Sequence, residues 1–519
     1  MTGFVRRLAP VVVGVISLAA NRLALLPGPA FWDTGELQAV APLLGTAHST
    51  GYPTYVLLGF VANLLLSPFG EPAFRMNLFA AICLAVAAAI TVDLGRALTR
   101  STALGVAAGL GLALTTIVWQ LGTHAEAHTL HLVLVALLVR LLVAWEAAAR
   151  RQQRGYGYVD PDRSAGRADR LLILATVVYG ISVGNHSLTL LLAAPVGLFV
   201  LAVDPGILRR PRLIATACLV LAVTIVLVFL ELPLRAGPFR APLVYGRPDT
   251  WDGFWYVVLA EQFRADLVGP FSDLARKMGA LIDLTSAEFG ALAILIPAGF
   301  VATVAMRPRY ALLSGSAVAL TCFFAASYIN GDIERYYAVP VLLAWTWLAM
   351  LAAGIARALG GLGRGGDSLR HRAPSQLTVA LLGVVLLVPT LTDLVPRFAV
   401  VDRSQDRAAQ RWVDAAFEVM APGAMVVSWW SYSTAMWYAQ SVAGERPDID
   451  IIDDRTRLDR DLGDLHHVID ANLPRRPVYV IRADPAEIAD LTERYRLEYQ
   501  PVPGVSLLAR VLGPRVTSP

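Results

Sequence analysis

Apolar runs of membrane length follow one another through most of this chain, and short arginine-bearing turns join them. A helix rises about 1.5 Å per residue, so about 20 apolar residues span a hydrocarbon core. Such runs lie at 9–27, 73–95, 102–121, 127–148, 170–184, 187–203, 212–232, 289–306, 310–329, 336–357 and 375–397. Backbone polar groups in lipid must be satisfied inside their own segment, which makes each run a helix. Composition agrees, because only 16% of the residues are charged, against about 25% in soluble proteins. The expected fold is mostly α, a polytopic membrane protein with about eleven spans.

Lys277 is the only lysine, so the modest net charge of +4 rests on scattered arginines. Cytoplasmic turns account for them, and no nucleic-acid partner is expected. Cys83, Cys218 and Cys322 lie in apolar runs without CxxC or Cys/His spacing. Neither a disulfide framework nor a cysteine metal site is expected.

Arginine placement sets the topology, since short cytoplasmic loops carry the excess of positive charge. Arg6 and Arg7, the turn 96–100 and the loop 149–170 are read as cytoplasmic. The run 9–27 is read as an uncleaved first span. An even number of crossings then separates Arg7 from Arg96. This leaves the short run 51–67, which opens with Gly51 and Pro53, at the outer interface without crossing. The outer side receives a first loop (28–72), the loop 122–129, an elbow at His186 and a long loop (233–288). That long loop is rich in Pro and Trp and suits interfacial helices.

From about residue 400 the composition turns soluble. Strands are expected at 424–428, 449–452 and 478–481, and helices at 405–420, 433–442, 456–471 and 485–494. The expected division is a membrane domain, 1–399, and an extracytoplasmic α/β domain, 400–519. The expected location is the cell (plasma or inner) membrane, with the N-terminus in the cytoplasm.

Asp33, Glu36, His48 and Glu126 fall on one face in this topology, although ionisable groups are costly near a bilayer. Asp33 and Glu36 share a helical face, as carboxylates that take a proton from an acceptor hydroxyl would. The same spacing fits a helix cap equally well. His48 suits a phosphate or sugar contact, or a turn. Glu126 lies among His124, His128 and His131, whose spacing could place them on one helical face. No HExxH is present, so a second acidic group of a transfer site is preferred to a metal. Asn185 and His186, at a helix break, line a cavity or satisfy a kink. Arg335, beside Tyr336, and Arg235 suit a lipid phosphate, or surface pairs with residues such as Asp332.

A transporter is the alternative from another class. It predicts charges at mid-helix and inverted repeats. Here the acids cluster at helix ends and no repeat is visible. A membrane scaffold displaying the C-terminal domain is a third reading, and it leaves the acidic face unexplained. Oligomeric state has no signal in the sequence.

The order of motifs resembles the GT-C membrane glycosyltransferases, and most closely the transmembrane-protein-260-like O-mannosyltransferases. Phe31-x-Asp33-x-Gly35-Glu36-Leu37 and Ala47-His48-x-x-Gly51-Tyr52-Pro53 are similar to that family's opening motif. Arg75-x-Asn77, Trp119-Gln120 with Ala125-Glu126, and Gly184-Asn185-His186-x-x-Thr189 follow in order. Leu234-Arg235-Ala236 with Tyr245-Gly246-x-Pro248-x-Thr250-Trp251, then Trp437-Tyr438-x-Gln440 and Arg446-Pro447-Asp448, complete the set. Two departures stand out. His48-Ser49-Thr50 replaces the usual His-Pro-Pro, and Trp430-Ser431-Tyr432-Ser433 replaces an acidic Asp-x-Asp run. The resemblance implies inverting transfer of a sugar, mannose-like, from a polyprenyl-phosphate donor to a protein or glycan hydroxyl. It implies Asp33 as the main catalytic carboxylate; from the residue spacing, no metal or other cofactor is expected.

Overall fold

The computed structural model describes residues 2–153, 161–269, 271–329, 331–362, 375–505 and 507–515. Part of the turn 149–170, the turn ending at His371-Arg372, and Asn330 lie outside the described residues. The chain is a multi-pass helical membrane protein with a small C-terminal α/β sheet.

Seven described helices are long and apolar enough to cross a membrane, or eight if the bent pair Gln376–Thr392 and Leu394–Val401 forms one span. About eleven were expected from apolar length. The runs 102–121, 170–184 and 187–203 account for the difference. The first breaks at Thr115, between Thr102–Leu114 and Thr116–Leu121. There the Glu288 carboxylate accepts the Ile117 N–H at 3.0 Å, satisfying a backbone group that the break frees. The second lies in Pro161–Asn185, whose first turns are charged. The third opens as a 3₁₀ turn, Ser187–Leu192, and continues as Ala193–Val203. His186 supplies the elbow between them, and its Nδ1 accepts the Leu188 N–H at 3.2 Å. The run 51–67 is the helix Pro53–Leu65. Its 13 residues reach about 20 Å, short of a hydrocarbon core of about 30 Å.

Helix Pro72–Thr99 is the hub of the bundle, packed against Thr2–Ala24, Thr102–Leu114 and Ala127–Gln153. Small residues let backbones approach closely, as membrane helices require in the absence of a hydrophobic drive between them. A Cβ on Gly105 would meet the Val92 carbonyl oxygen at 2.4 Å. Helix Ala338–Leu362 is buried along most of its length, and its Trp345 Nε1 donates to Thr115 Oγ1 at 2.9 Å.

Five strands form the sheet: β1 (Met425–Val427), β2 (Asp450–Ile452), β3 (Val478–Arg482), β4 (Tyr495–Tyr499) and β5 (Leu507–Pro514). Their order is β2-β1-β3-β5-β4, with β1 parallel to β2 and β3, and β5 antiparallel to β3 and β4. The expected strands correspond to β1, β2 and β3, whereas β4 and β5 were not expected. The period of two sorts the side chains. Val426, Ile451, Tyr479 and Leu508 face a core that includes Trp412 and Trp437, while Met425, Ile452, Val478 and Val480 face another with Val468 and Leu491. Helices therefore cover both faces, which is why β3 reads as a continuous apolar run.

The first of these cores runs on without a break into the membrane helices. Helix Trp32–Leu43 packs along Trp430–Ser441. Tyr438 Oη accepts the Ala73 N–H at 3.0 Å, and Ala24 O accepts the Arg403 N–H at 2.9 Å. A Cβ on Gly35 would meet Ala30 O at 2.2 Å and Thr434 Oγ1 at 2.9 Å. Gly35→Ala is expected to destabilise the protein by about 1–3 kcal/mol, the usual cost of overpacking. Thermal unfolding in detergent checks this, and an unchanged midpoint would show that the junction can relax.

Candidate active site

A left-handed start at Trp32 (φ 60°) opens helix Trp32–Leu43, and that strained conformation directly precedes Asp33. Glu36 lies one turn further on and is fully buried. One of its oxygens accepts the His48 N–H at 2.9 Å and Arg455 Nη1 at 2.8 Å. The other is paired with His48 Nδ1. Gly51 (φ 84°) and Tyr52 (φ 46°) then reverse the chain into the helix at Pro53. Only glycine adopts such angles without strain, so the turn belongs at Gly51. It brings the Tyr52 hydroxyl to 3.4 Å from His48 Nε2. The same nitrogen lies 4.0 Å from Asp33 Oδ2.

Arg335 arrives from the 3₁₀ turn Ile333–Tyr337 at the head of helix Ala338–Leu362. Its Nη2 reaches Asp33 Oδ2 at 3.0 Å and its Nη1 reaches Glu126 Oε2 at 3.4 Å. Glu126 in turn pairs with His128 Nδ1 at 2.8 Å, and Tyr336 stacks on the His128 ring at 5.3 Å. Acids and bases thus alternate along one chain of contacts: Arg455, Glu36, His48, Asp33, Arg335, Glu126, His128. Such alternation lets buried charge persist, because each group has an opposite neighbour.

The electrostatics follow from that order. Burial raises the Asp33 carboxyl, but His48 and Arg335 outweigh it and hold it below the ordinary 3.8. Burial likewise opposes ionisation of Glu126, and His128 and Arg335 hold its carboxyl well below the usual range. Burial lowers the His48 imidazole, but Glu36 and Asp33 outweigh it and raise it above 6.5. Folding therefore favours protonated His48. Its stabilisation is complete below 6.5 and is lost as pH rises through the higher folded value. Melting temperatures should fall over that alkaline window in the wild type, and His48→Gln should flatten the slope. An unchanged slope in His48→Gln would assign the effect to another group.

These groups border a cavity of about 1270 Å³. Asp33, His48, Glu126, His186, Arg335 and Arg455 form its polar wall. Leu188, Leu190, Phe263 and Leu267 continue it, with the near-parallel rings of Phe324, Tyr328 and Tyr336 grouped in a triangle, 5.8–6.3 Å between centroids. Among the described residues, His186 Nε2 and Arg335 Nε are buried without a hydrogen-bond partner. Because His186 Nδ1 accepts from Leu188, a neutral ring carries its proton on Nε2.

Three expected site residues stand elsewhere. Glu36 was expected to be catalytic, but both its oxygens are taken by Arg455 and His48, so it lies behind the cavity wall. Arg235 was expected to hold phosphate. Instead it donates to Leu44 O at 2.8 Å and Leu43 O at 3.2 Å, capping the carbonyl end of helix Trp32–Leu43. Asn185 donates to Ala127 O at 3.0 Å and ties two chain breaks together. Arg455 was not foreseen. It lies in an acidic run, Asp453-Asp454-Arg455, that reads as solvated surface. Among the described residues, no group of three or more His, Cys, Asp or Glu side chains is arranged to hold a metal ion.

Residues 33–205 match the family model of the protein O-mannosyl-transferase TMEM260 N-terminal domain. Mouse protein O-mannosyl-transferase TMEM260 is 29% identical over 279 residues, which is 52% of this chain and 35% of that protein. The match thus spans about a third of that relative's length. ArnT from Cupriavidus metallidurans, bound to undecaprenyl phosphate, is similar over 96% of this chain and 97% of its own, with a TM-score of 0.60 at 15% identity. An oligosaccharyltransferase from Archaeoglobus fulgidus, tethered to an acceptor peptide, is similar over 97% of this chain and 74% of its own, with a TM-score of 0.52 at 12% identity. Identities this low speak for the fold. The chain has the fold of these GT-C structures, and its residues 33–205 are similar to the TMEM260 N-terminal domain family.

Proposed function

We propose that the protein is an inverting membrane glycosyltransferase. It moves a sugar, mannose-like, from a polyprenyl-phosphate carrier to a protein or glycan hydroxyl on the extracytoplasmic face. The observation that carries this is the convergence of Asp33 and Glu126 on Arg335 at the wall of a cavity with polar and apolar regions. The polar end fits a sugar phosphate. The apolar region with its aromatic cluster fits an isoprenoid chain, consistent with the lipid phosphate held by ArnT. In this topology the N-terminus is cytoplasmic. Residues 1–399 form the catalytic membrane domain, and 400–519 lie outside.

The chemistry runs through named atoms. The donor phosphate takes the Arg335 guanidinium, which matches phosphate oxygens bidentately, and the His186 Nε2–H. Arg335 then shares its charge with the phosphate, and Asp33 Oδ2 is freed to accept a hydrogen bond from the acceptor hydroxyl. The hydroxyl oxygen attacks the anomeric carbon from the side opposite the phosphate. The carbon–oxygen bond to phosphate breaks, and its electron pair leaves with the phosphate. The hydroxyl proton passes to Asp33. Arg335 meets the negative charge as it gathers on the leaving phosphate, where a fixed cation is most effective. Glu126, oriented by His128, holds Arg335 in place. Purified protein incubated with a panel of polyprenyl-phosphate sugars and hydroxyl acceptors tests the proposal. A glycoside of inverted configuration is expected, and retained configuration would rule out direct displacement.

A further inference from the structure

The C-terminal α/β portion sends one side chain into the site. Arg455 is 1% exposed, although it lies in helix Asp454–Arg460 beside the sheet. Its guanidinium is fully engaged. Nη1 donates to Glu36 Oε1 at 2.8 Å, Nε donates to Val244 O at 3.0 Å, and Nη2 donates to Thr46 O. The Trp437 and Tyr245 rings flank it at 5.1 and 5.9 Å. These partners come from the helix Trp32–Leu43, the turn before His48, the segment 237–250 and the helix Trp430–Ser441. Arg240 ties the same region together through Asp459.

We propose that Arg455 is a positioning residue: it fixes Glu36 so that Glu36 orients His48 toward Asp33, which makes the C-terminal domain a working part of the active site. The proposal rests on the transfer reaction described above and deepens it. With Oε1 held by Arg455 and the His48 N–H, Glu36 offers Oε2 to His48 Nδ1. A ring whose Nδ1–H is donated to a fixed carboxylate presents Nε2 in one direction, the logic by which outer partners orient catalytic and ligating histidines. Here Nε2 faces Asp33 and Tyr52. The charged and titratable groups around His48 are Glu36, Asp33, Tyr52 and Arg335, with Arg455 paired to Glu36.

Sequence gives no sign of the link, because Glu36 and Arg455 are 419 positions apart. A lysine keeps the charge at this position but cannot reach three acceptors with one planar fork. Arg455→Lys and Arg455→Met in the full-length protein, with Glu36→Gln and the double variant Glu36→Gln/Arg455→Met, test the proposal.

For a residue acting through His48, kcat is expected to fall about 10–100-fold at nearly unchanged KM for the lipid donor. Arg455→Lys should fall between the wild type and Arg455→Met. The double variant should be little worse than either single variant, because both cut the same chain of contacts. Labelling of His48 with diethyl pyrocarbonate, read by peptide mass spectrometry, needs no turnover. It is expected to rise several-fold in both Arg455 variants, with His466 labelling unchanged. If folded Arg455→Lys keeps wild-type kcat and His48 labelling, Arg455 is a packing residue and the proposal fails. A raised donor KM at constant kcat would also overturn it, by making Arg455 a substrate contact. Absence of transfer in the wild type would overturn the proposed function instead, and the labelling result would still decide whether Arg455 holds His48.

Discussion

Asp33→Asn is expected to lower sugar transfer about 100- to 10,000-fold, the usual contribution of a positioned proton acceptor. The change keeps the shape of the side chain. Its amide oxygen can still accept from Arg335 Nη2, which lies 3.0 Å from Asp33 Oδ2. What is lost is the group proposed to take the acceptor proton. Donor binding should therefore change less than turnover, and folding should survive, because Arg335 keeps Glu126 as its partner. Initial rates at saturating donor, with a melting curve on the same preparation, check the prediction. Asp33→Glu keeps the charge but moves it by a methylene, and should recover only part of the rate.

Arg335→Met should damage both stability and turnover. It leaves Asp33 and Glu126 at the cavity wall without the guanidinium they share. Removing one partner of a buried ion pair costs about 3–5 kcal/mol. The lower end is expected here, because His48 and His128 remain beside the two acids. If Arg335 is the cation that meets the leaving phosphate, as proposed, its loss should cost a further factor of about 100–1,000 in kcat/KM. Arg335→Lys should restore more stability than turnover, since one ammonium cannot match two phosphate oxygens and two carboxylates together. A donor titration separates these effects. Wild-type donor affinity in Arg335→Met would remove this side chain from the phosphate site.

How much of this was legible from sequence depends on the range of the interaction. The helical membrane architecture follows from apolar length, and the first three strands follow from short β-branched runs before turns. The break at Thr115 was not legible, because it is stabilised by Glu288, far along the chain. The final hairpin was missed for a related reason. β4 alternates arginine and glutamate with apolar residues at the sheet edge, so its surface pattern resembles a loop.

In the site, Asp33, His48, Glu126, His186, Arg335 and Tyr336 all reach one cavity, and each lies in a short polar stretch between apolar runs. Glu36 carries the same signal, but its neighbour Asp33 faces the cavity while Glu36 itself faces Arg455. A period of three to four residues gives the shared face of a helix, not what lies opposite it. Arg455 carries the reverse lesson. A lone arginine in an acidic run of a soluble segment gives no hint of burial, and only the docking of that segment makes it part of the site.

The most direct test is a transfer assay on purified protein in lipid nanodiscs, with radiolabelled polyprenyl-phosphate sugars, hydroxyl acceptors and the Asp33→Asn variant run alongside. Label is expected in an acceptor glycoside for at least one donor, with a rate in Asp33→Asn no more than about one hundredth of wild type. Transfer by Asp33→Asn at the wild-type rate would contradict this. So would sealed vesicles in which the sugar crosses the membrane unaltered and no glycoside forms.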